Sequence, residues 1–277
     1  MLRLKVAAFA ACALAVLGLT QPPMSAREAA PAPIRHDFHD AALGAFTPST
    51  SSTAVAAVTA LGSSKDYTLM FPAAFGAPYG RWDPCKPIYW KVNPRWAPKG
   101  GVTDLKAAIA RVHAATGLTF VYEGTTTLVP GTAAYDEVDT SGQIIIAWAP
   151  DGYSTLIPKA PRGSYGPMGV GGGTVYIRSG VDGRQYAVID SAYVLLSTSF
   201  STLAGGFGLG NRYGWQGTRG MLDMHELGHA IGLQHAQGRS EIMYPYAQRM
   251  LANWGAGDLN GLRLLGRAPG CIPELTD

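Results

Sequence analysis

A chain of 277 residues, 47% of them apolar and 15% charged, holds enough apolar material for one sizeable globular domain with flanking segments, and it is not an intrinsically disordered protein. Its formal net charge of +3 is spread thinly, with no run of Lys or Arg dense enough to neutralise a row of phosphates. That counts against nucleic acid as a partner.

At the N-terminus, Arg3 and Lys5 precede an apolar run over residues 6–19 that gives way to Gln21, Pro22 and Pro23. This is the pattern of a signal peptide, its apolar core short of the ~20 residues needed to span a bilayer. Residues 1–26 are therefore read as a signal peptide, the protein as secreted and extracellular, and the mature chain as lacking a stable membrane span. Residues 27–80 are rich in Ala, Ser, Thr and Pro, with TPSTSST at 47–53, and read as a pro-segment or flexible linker. The folded domain is expected over 81–277. Cys12 lies in the signal core, which leaves Cys85 and Cys271 near the two ends of that domain. In an exported chain an even pair is most simply a disulfide.

Regular structure is expected from residue 88, where Ile, Tyr, Trp, Lys and Val form a strand over 88–92. A helix follows, capped by Thr103, with Leu105, Ala108, Ile109 and Val112 at helical spacing and Gly117 ending it. Strands are expected over 119–122, 143–148 and 174–177, the last framed by Gly171, Gly172, Gly173 and Gly180. The apolar stretch 185–196 fits strand or helix by periodicity alone and is assigned to a further strand. A helix over 218–233, a compact turn around Met243 and a final helix over 258–265 complete the order. The fold class this order implies is α+β: a twisted mixed sheet packed on two helices, with a cleft beside the longer helix and a third helix at the C-terminus.

The chemistry is concentrated in one segment, His225-Glu226-Leu227-Gly228-His229-Ala230-Ile231-Gly232-Leu233-Gln234-His235. Residues four apart share a helix face, so His225 and His229 can aim their imidazoles at one ion. Gly232 accepts the left-handed conformation that ends a helix, letting the chain turn so that His235 supplies a third ligand. Three neutral imidazoles with one open position suit zinc, and an open position marks a catalytic site. Glu226, adjoining His225, can take a proton from the attacking water and pass it to the departing amine. Met224, Leu227, Gly228 and Ile231 form an apolar stripe that faces inward.

These residues resemble the metzincin metallopeptidases, whose motif His-Glu-x-x-His-x-x-Gly-x-x-His is followed by a methionine-containing turn, here Ser240-Glu241-Ile242-Met243-Tyr244-Pro245. The step of eight residues from His235 to Met243, the Met-Tyr-Pro sequence and the stretch Asp258-Leu259-Asn260-Gly261-Leu262 are similar to matrixins, in particular secreted matrixin-type peptidases of bacteria. The resemblance implies a metzincin-like catalytic domain that acts as a zinc metalloendopeptidase, a hydrolase of peptide bonds in peptide or protein substrates. It also implies Met243 as an apolar floor beneath the metal, with Tyr244 and Tyr246 able to shape a substrate pocket. Ala236 stands where matrixins usually have Ser, and Pro245 removes the counterpart of the tyrosine that reaches zinc in astacin-like enzymes. No second histidine pair for a structural zinc and no clear calcium loop is present, so structural calcium is left unassigned. The segment around Cys85 is a poor match to the matrixin latency motif. His36, Asp37, His39 and Asp40 are candidates to cap the metal before processing. A monomer is expected. The competing class is a non-catalytic zinc-binding adhesion or inhibitory module on the same fold, which would have no need of Glu226.

Overall fold

The computed structural model describes residues 5–9 and 60–276, except 75, 163 and 213–215. Apart from residues 5–9, the expected signal peptide, Cys12, the run at 47–53 and the HDFHD segment lie outside the described residues. In chain order the elements are β1 (Lys5–Phe9), β2 (Thr68–Leu69), β3 (Ile88–Asn93), α1 (Gly101–Thr116), β4 (Phe120–Thr125), α2 (Ala133–Asp136), β5 (Gln143–Ala149), β6 (Gly169–Ser179), β7 (Gln185–Ser197), α3 (Arg219–Ile231), β8 (Leu233–Gln234) and α4 (Ala256–Leu265). The main sheet has the order β1-β6-β7-β5-β3-β4. Strands β7, β5, β3 and β4 run parallel, whereas β6 runs antiparallel to β7 and β1 antiparallel to β6. This is the expected α+β architecture.

Central position in the sheet explains the composition of β5. Ile144 through Ala149 are all buried, because a parallel strand covered on both faces loses the alternation that a half-exposed strand shows. One face of the sheet meets α1 and α3 in the main core, where Trp90, Ile144 and Ile146 share a cluster with Leu105, Ala108, Val112, Met224, Leu227 and Ile231. The other face carries a smaller cluster built on Val129, Ile157, Val170, Tyr193 and Leu195.

Three features differ from the expectation. First, α1 starts at Gly101 rather than after a Thr103 cap. The left-handed Gly100 (φ 80°) turns the chain into the helix, and the Gly101 N–H donates to the Pro98 carbonyl at 2.8 Å. Gly117 ends it in the left-handed conformation, as expected. Second, the glycines at 169–173 lie inside β6 instead of framing it. A Cβ at Gly171 would strike the Glu226 carbonyl and the His229 side chain, so the absence of side chains is what lets α3 lie directly on this strand. Third, residues 60–80 belong to the same compact unit as 81–276. Strand β2 pairs antiparallel with β8, Arg81 bridges to Val188, and the Trp82 indole N–H donates to the Ala230 carbonyl at 3.0 Å.

Candidate metal centre

The Thr218 hydroxyl caps α3 by accepting the Met221 N–H at 3.2 Å, and Gly232, at φ 114°, ends it in the left-handed conformation that glycine adopts without a Cβ penalty. Every residue of α3 after Arg219 is buried. The amphipathic reading of this helix is therefore incomplete: the apolar stripe does face the core, but the histidine side is enclosed as well, by β6, the Met243 turn and the chain after Gly232. Asp104 on α1 receives the Arg219 Nε–H at 2.9 Å and ties the start of α3 to its neighbour.

Beyond Gly232 the chain reverses through β8 and brings His235 back against the helix. The ligand atoms of His225, His229 and His235 lie within 4.8 Å of one another, and their ring centroids are 4.9–5.4 Å apart. Three nitrogens on one tetrahedral zinc sit about 3.4 Å apart, so small rotations of these rings suffice to close around an ion. The His225 Nδ1–H donates to the Ile242 carbonyl at 2.7 Å and the His229 Nδ1–H to the Leu233 carbonyl at 2.8 Å. These bonds select the tautomer that leaves Nε2 unprotonated as the ligand atom. Nε2 of His229 and Nε2 of His235 are buried without a hydrogen-bond partner.

Burial decides the charge of the site. It pushes His225 down to about 4, His229 well below its ordinary value and His235 below it too, so all three are neutral imidazoles at neutral pH, the form that binds a metal. Glu226 is 0% exposed and neither carboxylate oxygen makes a hydrogen bond of ordinary geometry. Burial therefore raises its pKa well above the carboxylate range, only partly offset by the nearby Gly171 N–H. Three neutral imidazoles whose ligand atoms converge, two of them with a buried Nε2 that has no hydrogen-bond partner, fit a divalent cation at this point. The donor set suits zinc.

Met243 is buried against α3, at the place where a Cβ on Gly228 would meet its thioether. Its carbonyl accepts the Ala236 N–H at 2.9 Å, joining the turn to the chain just past His235. Tyr244 and Tyr246, with ring centroids 5.6 Å apart, line a pocket beside His225 together with Met221, Leu222 and Met250. Cys85 and Cys271 form a disulfide across a separation of 186 residues.

Three carboxylates near the turn were not singled out from sequence. Asp258 on α4 accepts the N–H groups of Ile242 at 2.5 Å, Met243 at 3.3 Å and Gly255 at 3.0 Å, and Glu241 accepts the Asp258 N–H at 2.9 Å. Asp66 accepts the N–H groups of Gln237 and Gly238. Asp258, at the third position of α4, accepts the Gly255 N–H at the helix start, the half of a capping box that does not need an N-cap side chain. Nothing local marks Asp66 or Glu241.

The Matrixin family model matches residues 218–263, from the cap of α3 into α4, and contains all three histidines and Met243. No protein of curated function matches the chain.

Proposed function

Taking as premise a chain that fits a matrixin-like metzincin, we propose that it is a secreted zinc-dependent endopeptidase, with His225, His229 and His235 holding one catalytic zinc and Glu226 serving as the base. The observation that carries this reading is the convergence of three neutral histidines, with a fully buried carboxylate next in sequence to the first of them. A site that held metal only to brace the fold would gain nothing from that carboxylate, which costs stability where it sits.

Zinc, when bound, supplies Lewis acidity toward the scissile carbonyl and acidifies a water in the open position. Its positive charge also favours the ionised form of Glu226, opposing the rise that burial imposes. Glu226 then takes a proton from the attacking water and delivers it to the amine nitrogen as the C–N bond breaks. The carbonyls of Ile242 and Leu233 hold the first two imidazoles in orientation throughout. The pocket of Met221, Leu222, Tyr244, Tyr246 and Met250 opens beside His225 and suits an apolar side chain on the far side of the cleaved bond.

Secretion is supported by the N-terminal charge and hydropathy pattern and by the Cys85–Cys271 disulfide, which forms and persists in oxidising compartments. Among the described residues no helix is long and apolar enough to cross a membrane. The test is zinc content per chain together with cleavage of a broad peptide library by the wild type and by Glu226→Ala. Zinc in both proteins, with turnover down about 10^2-fold or more in the variant, is the expected result. Zinc in both with no cleavage by either would transfer the protein to the class of non-catalytic zinc-binding modules.

A further inference from the structure

Two of the three histidines are placed by α3, but His235 lies outside that helix, on a loop that begins at Gly232. Left to itself, such a loop pays for ordering when metal binds. In this protein a segment about 170 residues upstream holds it. Thr68 and Leu69 of β2 pair with Gln234 and Leu233 of β8, and the Met70 N–H donates to the Gly232 carbonyl at 2.8 Å. On the far side of His235 the Asp66 carboxylate accepts two consecutive backbone donors, Gln237 N–H at 2.9 Å through Oδ1 and Gly238 N–H at 2.6 Å through Oδ2. A side chain at 238 would collide with that carboxylate, so the glycine is what permits the approach.

The segment is itself anchored. The Ala256 N–H donates to the Leu61 carbonyl at 2.8 Å, the Asn260 amide to the Ser64 carbonyl at 2.9 Å, and a tight turn closes from the Asp66 N–H to the Ser63 carbonyl. The ligand loop is therefore clamped before and after His235 by one strap, fixed in turn to α4.

We infer that Asp66 is a positioning residue for the third metal ligand, acting through the backbone of Gln237 and Gly238 to hold His235 in its binding position. This rests on the reading of the three histidines as the zinc site. The consequence is that the strap around Asp66 belongs to the metal centre, not to a disposable leader. Groups that orient a metal's ligands typically account for about 10–100-fold in metal affinity, and Asp66 is bound to the loop by two hydrogen bonds that its carboxylate accepts.

The experiment compares the full chain as wild type, Asp66→Ala, Asp66→Asn and, as an endpoint, His235→Ala. Zinc affinity is read by competition with a chromophoric chelator, ligand geometry by visible absorption of the cobalt(II)-substituted proteins, and folding by thermal unfolding of the metal-free forms. The expected result is affinity lowered about tenfold or more in Asp66→Ala, a cobalt spectrum displaced toward that of His235→Ala, and partial recovery in Asp66→Asn, which keeps one acceptor oxygen, all with cooperative unfolding of the metal-free proteins preserved. Affinity within twofold of wild type in both Asp66 variants would overturn the inference. So would a loss of affinity that accompanies loss of cooperative unfolding in the metal-free protein, since it would assign Asp66 to folding alone. A wild type that takes up no zinc would instead defeat the metal reading itself.

Discussion

Glu241 and Asp258 show how a few buried carboxylates set the behaviour of the turn beneath the histidines. Burial is the first cause in both, raising Glu241 to about 7 and Asp258 to about 6 from ordinary values of 4.5 and 3.8, and their proximity to each other and to Asp66 adds to it. The folded protein therefore keeps protons on these groups over a pH range in which the unfolded chain has already released them. The stability this contributes is complete below the unfolded values and is lost as pH rises, for Glu241 between pH 4.5 and about 7. Glu241→Gln removes its share, so urea denaturation of the variant between pH 4.5 and 8 should show a flatter decline of stability with pH than the wild type. Equal slopes would mean that Glu241 binds its proton alike in the folded and unfolded states.

Between elements, the decisive contact is α3 against β6. Ordinary strands keep a helix at the distance set by two layers of side chains, whereas Gly169 and Gly171 let the backbone of α3 and the side chain of Glu226 come directly against the strand. The result encloses the carboxylate of Glu226, which is 0% exposed. Gly171→Ala places a methyl group where the Glu226 carbonyl lies. A loss of about 1–3 kcal/mol in chemical denaturation is expected, the usual cost of overpacking a close interface. An unchanged midpoint would show that β6 already stands away from α3 in solution.

For the molecule as a whole, the segments before β3 and after α4 both pack back onto the domain. The N-terminal strap meets the ligand loop and α4, Trp82 packs under Ala230, and the chain after α4 returns to the sheet, where the Val181 N–H donates to the Glu274 carbonyl at 2.9 Å. The Cys85–Cys271 disulfide locks the strand-side end to this returning tail across 186 residues. Closing a loop of that length restricts the unfolded chain by up to roughly 5 kcal/mol in the entropy model. The double variant Cys85→Ser/Cys271→Ser should unfold at clearly lower denaturant with the same cooperativity. Equal midpoints for the oxidised wild type and the variant would place the stabilisation elsewhere.

Elements and residues whose signals are local can be read from the chain alone. Strands β3 and β5 follow from short apolar runs, whereas periodicity alone leaves the 13-residue β7 open between strand and helix. The convergence of His225, His229 and His235 follows from a four-residue helical step and a glycine that reverses the chain, a geometry encoded within three turns of backbone. The turn at Met243 was legible for the same reason. That the glycines of 169–173 lie inside a strand emerges only from the fold, since their meaning lies in what packs against them. The fold also decides that residues 60–80 brace the domain and that Asp66, Glu241 and Asp258 hold the loops around the site. Hydrogen bonds between residues 171 positions apart leave no periodicity and no spacing to read, because the partner is chosen by the fold and not by the neighbouring chain.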